Sequence, residues 1–286
     1  MERIKILLDS GCDIAKEEAE QYGFGVVPLI ITDGEQQWTD YDGIDILAYQ
    51  EHLRSCSSIP TTAQPSPQTF LERYESLVDQ ADHILVITMS VGGSGTFYSA
   101  VMAKEMFEDK HPDHRCRIWV HDSWSCSMVE VMQAKAAHRM ALDGKTMGDI
   151  LVALEEMKRR SSSYYLVNNI DFLIKGGRVG NLKGAMVSAL NIKPIISIVN
   201  GYGSNHAIAM GYSKGLSKLA HYFVSEADET TALYLTHCGA ENEAKELAER
   251  IRKTFPNLSV QINRMWGTMS TQAGPGTIGM FYEKKH

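Results

Sequence analysis

The stretch His83-Ile84-Leu85-Val86-Ile87-Thr88-Met89, running on into Ser90-Val91-Gly92-Gly93-Ser94-Gly95-Thr96, decides the fold. An apolar, β-rich run without polar alternation reads as a strand buried on both faces. The glycine-rich turn behind it leads into a helix that reads through Phe107. The same grammar recurs on either side. Residues 4–9 form a short buried strand, and residues 14–22 a helix with Asp13 as its N-cap. Residues 26–32 read as a strand, 33–43 as a hairpin-like excursion and 46–54 as a helix. The segment from Pro60 to Pro67 is extended, because residues before proline avoid the helical region. Pro67 then opens a helix to about Asp79. Downstream come a strand at 117–121 and helices at 127–142 and 150–160. Strands alternating with helices imply crossover connections, hence an α/β fold whose N-terminal sheet is mostly parallel and flanked by helices.

Past Arg160-Ser161-Ser162-Ser163 the pattern changes. Strand candidates lie at 164–168, 194–200, 207–211, 231–237, 258–263 and 277–282, with amphipathic helices at 214–227 and 241–254. We therefore expect two domains, an N-terminal α/β domain at 1–160 and a second α/β (α+β) domain at 161–286, with a ligand site between them.

Composition narrows the function classes. The 286 residues carry 28 Lys+Arg against 35 Asp+Glu, a net charge of −7, with no basic stripe for nucleic acid. No apolar run approaches the ~20 residues that cross a bilayer, and residues 1–8 are too short and charged for a signal peptide. Five scattered cysteines without a Cys-x-x-Cys pair fit a reduced, cytoplasmic protein and no structural zinc. Ten histidines include no His-x-x-x-His pair, so a metal centre is not expected.

Four clusters carry candidate chemistry. The turn at 89–96 ends in a helix N-terminus, whose unpaired N–H groups and dipole favour an anion. Ser94 and Thr96 add hydroxyls, but the P-loop lysine is missing and Thr96 spoils a Gly-x-Ser-x-Gly elbow. A plain helix cap explains this turn equally well. The loop 61–66 has hydroxyls on a rigid extended backbone, which an ordinary turn would also show. Arg178 follows Gly176-Gly177, where it either meets a carboxylate or phosphate in bidentate fashion or pairs with a nearby acid. Gln272-Ala273-Gly274-Pro275-Gly276 reads as a rigid turn bearing an amide that donates or accepts. Asp9 and Asp122 follow strands and precede serines, and serve as turn or cap residues without further explanation.

Taken together, and in this order along the whole chain, the motifs resemble the DegV family of bacterial fatty-acid-binding proteins. The resemblance rests on Asp9-Ser10-Gly11-Cys12-Asp13, Pro60-Thr61-Thr62-Ala63-Gln64-Pro65-Ser66, Ser94-Gly95-Thr96, Lys175-Gly176-Gly177-Arg178, Asn191-Ile192-Lys193-Pro194-Ile195-Ile196 and Ala273-Gly274-Pro275-Gly276. It implies a non-catalytic carrier that holds one long-chain fatty acid in an interdomain apolar tunnel. It also implies a partner, a separate ATP-dependent fatty acid kinase subunit that phosphorylates the presented carboxylate, and no cofactor besides the lipid. Carried over by position, Thr62, Ser94 and Gly95 would bind the carboxylate and Arg178 would mark the partner or head-group region. Gln272 stands where the family usually has histidine; it hydrogen-bonds a carboxylate but carries no charge and relays no proton. Residues 185–192 and their neighbours are expected along the tail, and the 14 methionines suit an adaptable apolar wall or an ordinary core. Two rivals stand beside this reading: an enzyme using Ser94, as acyl hydrolase or phosphotransferase, and a carrier of another amphiphilic anion.

Overall fold

A computed structural model describes residues 2–179, 191–228 and 230–285. The parallel sheet has the order β2-β1-β6-β7, from β1 (Ile4–Asp9), β2 (Gly25–Val27), β6 (His83–Thr88) and β7 (Arg117–Asp122). Between β2 and β6 lie β3 (Ile30–Asp33), β4 (Gln36–Thr39) and β5 (Thr61–Ala63), a separate antiparallel sheet of order β4-β3-β5. The second half supplies β8 (Ser161–Leu166), β9 (Ile192–Val199), β10 (Tyr202–Met210), β11 (Leu233–His237), β12 (Val260–Arg264) and β13 (Ile278–Glu283). These form one sheet of order β10-β9-β8-β13-β11-β12, antiparallel except for the β11–β12 pair. Helices α1 (Lys16–Tyr22), α2 (Ile46–Ser55), α3 (Pro67–Leu77), α4 (Thr96–Lys110), α5 (Met128–Leu142) and α6 (Met147–Arg160) belong to the first half. Helices α7 (Ile170–Gly176), α8 (Tyr212–Glu226), α9 (Glu241–Arg252) and α10 (Gly267–Ala273) belong to the second.

Side-chain alternation along the strands stacks these elements. Leu7, Ile84 and Val86 face α3 and α4, packing on Phe70, Tyr74, Ala103 and Phe107. Ile6, Leu8, Leu85 and Ile87 point the other way, onto α5 and α6. Tyr165 and Ile196 of the large sheet reach the same layer, whereas Tyr164, Leu166 and Ile195 pack on α8 and α9. Helix α5 thus lies between the two sheets, and Met128 through Ala134 are all buried. Filling both faces of the parallel sheet is what its continuous apolar strands require.

Several expectations need correction. Residues 26–32 are two strands in two sheets, because Pro28 has no N–H to donate to a ladder. The hydroxyl of Ser10 instead accepts from Leu29 N–H at 3.0 Å. Asp13 caps no helix. It sits at φ 58, fully buried, accepting from the Ser127 hydroxyl and from Trp266 N–H at 2.7 Å, while α1 starts three residues later behind Ala15. Gln272 lies in α10 rather than in a turn, which begins at Gly274. Residues 172–176, for which the sequence suggested no element, complete α7. The strand expected at 207–211 is the end of a longer one, β10, joined to β9 through Asn200-Gly201. Both turn residues have positive φ, 50 and 83, as a two-residue type I′ hairpin demands.

Candidate functional site

The carboxyl ends of the parallel strands face the large sheet across a cavity of about 320 Å³. Open parallel sheets place ligands at that edge. The cavity's apolar wall includes Leu29, Met89, Val167, Leu173, Ile196 and Ile198. Tyr165 adds its ring, its hydroxyl lying 3.1 Å from Cys126 Sγ, so the wall has no bare phenol there. The polar lining comes from Thr62 on β5 and Gln64 just after it, Ser90, Ser94 and Gly95 ahead of α4, Thr268 and Gln272 on α10, and Arg178 past α7. All five residues carried over by resemblance, Thr62, Ser94, Gly95, Gln272 and Arg178, therefore line one cavity. Among the lining residues described there is no aspartate, glutamate, histidine or lysine.

Each polar residue is held by its element. Gln272 Nε2 donates to Thr62 Oγ1 at 2.9 Å, which ties α10 to β5. Ser94 Oγ lies 2.8 Å from Thr96 Oγ1 and accepts from Thr96 N–H at 3.3 Å, at a helix start where Gly95 offers no side-chain cap. Gln64 Nε2 donates to Ser99 Oγ at 2.9 Å, and its Oε1 lies so close over Gly95 that a Cβ there would approach to 2.0 Å. Arg178 is exposed and donates to the carbonyl of Gly176. Of the other loop hydroxyls, Ser66 is spent on capping α3, accepting from Thr69 N–H at 3.1 Å.

Helix α10 is short, and buried polar bonds fix it. Asp40 accepts from Gly267 N–H at 2.9 Å and Thr268 N–H at 3.0 Å at its start. Tyr49 and Thr271 pair their hydroxyls at 2.6 Å, and Gln50 Nε2 donates to Ser270 Oγ at 2.9 Å. A Cβ on Gly267 would stand 2.3 Å from Ile31 Cδ1 and 2.9 Å from Asp40 Oδ1, so a larger residue there would push these side chains out of place.

Behind the cavity lies a buried acidic layer. Asp9 accepts from Gly11 N–H at 2.9 Å and Met89 N–H at 2.8 Å, shaping the strand end that supplies the cavity wall. Burial drives its carboxyl up to about 7. Burial likewise pushes Asp13, Asp40 and Glu130 upward.

The reading from sequence missed Gln64 as lining, although its loop was singled out. It also missed the tip of the β9–β10 hairpin, which closes one side. Ser90 Oγ donates to Gly201 O at 2.7 Å, and a Cβ on Gly92 would stand 2.4 Å from that same oxygen. The Asn200-Gly201 dipeptide was the available signal. Of the stretch expected along the tail, residues 185–190 lie outside the described residues. Asn191 and Ile192 are not among those that line the cavity. Of the methionines, Met89 and Met269 line it, whereas Met128, Met147 and Met280 are core.

Comparison with known proteins gives a consistent result. The family model described as "Uncharacterised protein, DegV family" matches residues 3–285. A fatty acid-binding protein of Thermotoga maritima is 30% identical over 288 residues, covering 98% of each chain. The crystal structure of a DegV lipid-binding protein of the same organism superposes with a TM-score of 0.88 at 27% identity, covering 99% of this chain and 98% of that one. A DegV-family protein of Ruminococcus gnavus, solved with vaccenic acid, gives 0.87 at 28% identity over 97% and 99%.

Proposed function

The chain belongs to the DegV family, and from that premise we propose that it binds one long-chain fatty acid in the cavity between its two larger sheets. The observation that carries this reading is an apolar-walled cavity in which the uncharged donors Thr62, Ser94 and Gln272 share the lining with Arg178. Its volume of about 320 Å³ falls at the lower end of the ~300–1,000 Å³ usual for small-ligand sites. Burying methylenes contributes ~0.8 kcal/mol each, and a hydrogen bond to a charged group a net ~1.5–3 kcal/mol. The tail therefore supplies affinity, while the hydroxyls and Arg178 orient the carboxylate.

The role we infer is binding rather than catalysis, with no cofactor besides the lipid. Ser94 has Thr96 as its hydroxyl neighbour, and no imidazole or carboxylate among the described lining residues stands ready to take its proton. Exposed Arg178 at the head-group end supports the further proposal that the carboxylate is presented to a separate ATP-dependent kinase, which forms the acyl phosphate. Five cysteines without a disulfide support a reducing, cytoplasmic setting. Native mass spectrometry of the purified protein before and after solvent extraction, followed by titration of the stripped protein with vaccenic acid, tests the reading. One bound acyl chain per protein is expected. A protein that carries no lipid and ignores added vaccenic acid overturns it.

A further inference from the structure

We infer that Gln272 acts as a positioning residue, locking the Thr62 hydroxyl as a donor toward the ligand carboxylate, and that the bare Cα of Gly176 leaves the room this Gln272 rotamer needs. This rests on the fatty-acid reading above but assigns Gln272 a role other than direct contact. The amide Nε2 donates to Thr62 Oγ1 at 2.9 Å. A hydroxyl that accepts from an amide on one side has its own proton left to give on the other. Thr62 lines the cavity, so the proton it retains is available to a carboxylate there, which has only acceptors. An amide in this place never titrates, so the orientation of Thr62 is independent of pH.

The other end of the amide lies close against the backbone of Gly176. A Cβ on Gly176 would stand 2.4 Å from Gln272 Oε1, closer than side-chain contacts allow. Gly176 is the last residue of α7, and the next glycine, Gly177, takes the left-handed cap at φ 67. Gly176 is not among the glycines with positive φ, so backbone conformation does not demand glycine there; a side chain would instead displace the neighbouring amide. Helix α7 thereby abuts α10, and through Gln272 it sets a hydroxyl on β5. Three segments distant in sequence converge on one hydrogen atom.

The test is a double-substitution cycle read by titration of lipid-stripped protein with vaccenic acid. Gln272→Leu is expected to weaken binding about 3- to 10-fold and Thr62→Val, which loses the bond to the carboxylate itself, about 10-fold or more, and the double variant is expected to be no weaker than Thr62→Val alone. Gly176→Ala is expected to weaken binding in the native background and to have no effect beside Gln272→Ala. Gln272→Glu supplies a readout that mere packing would not move. Protonated, it still donates to Thr62; ionised, it accepts the Thr62 hydrogen bond, turning that hydroxyl away from the ligand, and repels the ligand carboxylate. Its affinity relative to the native protein's, compared at each pH so that the ligand's own titration cancels, is therefore expected to fall as pH rises through the glutamate pKa. Multiplicative losses in the double variant, or a Gly176→Ala effect that persists beside Gln272→Ala, overturn the inference. If the native protein itself ignores vaccenic acid, the fatty-acid reading fails instead, and the two failures are thereby distinct.

Discussion

Replacing Asp40 by asparagine probes how α10, and with it Met269 and Gln272, is held in register with the cavity. Asp40 is fully buried and uses both carboxylate oxygens. Oδ1 accepts from Tyr41 N–H at 2.8 Å and Gly267 N–H at 2.9 Å; Oδ2 accepts from the Ser10 hydroxyl at 2.9 Å and Thr268 N–H at 3.0 Å. Asparagine keeps one acceptor oxygen and turns an NH₂ toward the other pair of donors. Each buried donor left without an acceptor costs ~1–3 kcal/mol. Burial already penalises the native carboxylate, so part of that loss is offset. The expected net loss for Asp40→Asn is about 2–4 kcal/mol, a sizeable share of a typical ~5–15 kcal/mol. Urea unfolding followed by circular dichroism measures it, with Asp45→Asn as the matched control. Asp45 caps α2 on the surface, accepting from Leu47 and Ala48 N–H. Asparagine caps a helix about as well as aspartate, so the control is expected within ~0.5 kcal/mol of the native protein. If Asp40→Asn also falls within ~0.5 kcal/mol, the claim that this carboxylate anchors α10 is wrong.

Asp9 gives a pH signature. Its folded carboxyl is raised from 3.8 to about 7, first by burial. The folded state therefore keeps a proton that the unfolded chain has lost, and stability contributed at low pH disappears as pH climbs from about 4 to about 7, by an amount on the order of 4 kcal/mol. Relative to the native protein, Asp9→Asn is expected to gain stability across that window, measured as urea midpoints at several pH values; parallel curves count against it. Ser94→Ala is expected to weaken vaccenic acid binding about 10-fold, one charge-assisted hydrogen bond, with the thermal midpoint lowered by no more than a few degrees for the lost Thr96 N–H acceptor; unaltered affinity removes Ser94 from the head-group site. In a series of saturated acids from lauric to stearic, each added pair of methylenes is expected to tighten binding about 15-fold until the cavity is full. A flat series argues that the tail is not enclosed.

The local grammar of the chain was legible because each signal was local. The apolar run at 83–88, the proline at 67 and the glycine turn before Thr96 fix their elements through backbone sterics and side-chain alternation, which neighbours in sequence decide. Resemblance then singled out Thr62, Ser94, Gly95, Arg178 and Gln272, which the structure brings to one cavity. Where a residue's role depends on a distant partner, sequence reading went astray. Asp13 looked like a helix cap because aspartate suits that place, yet its carboxylate is claimed by Ser127 and Trp266 from far along the chain. The run 26–32 looked continuous because side-chain character does not reveal which sheet receives each half.

The sequence alone thus determined an α/β chain whose parallel strands are apolar on both faces, and which residues stand at their ends. Only the tertiary structure decided that α5 is shared between two sheets, that the Asn200-Gly201 tip closes on Ser90, and that a glutamine on α10 meets a threonine on β5. The reason is physical. Secondary structure follows from dihedral preference and periodicity over a few residues, whereas the cavity is the space left over when sheets and helices pack, and no short stretch of chain encodes that remainder.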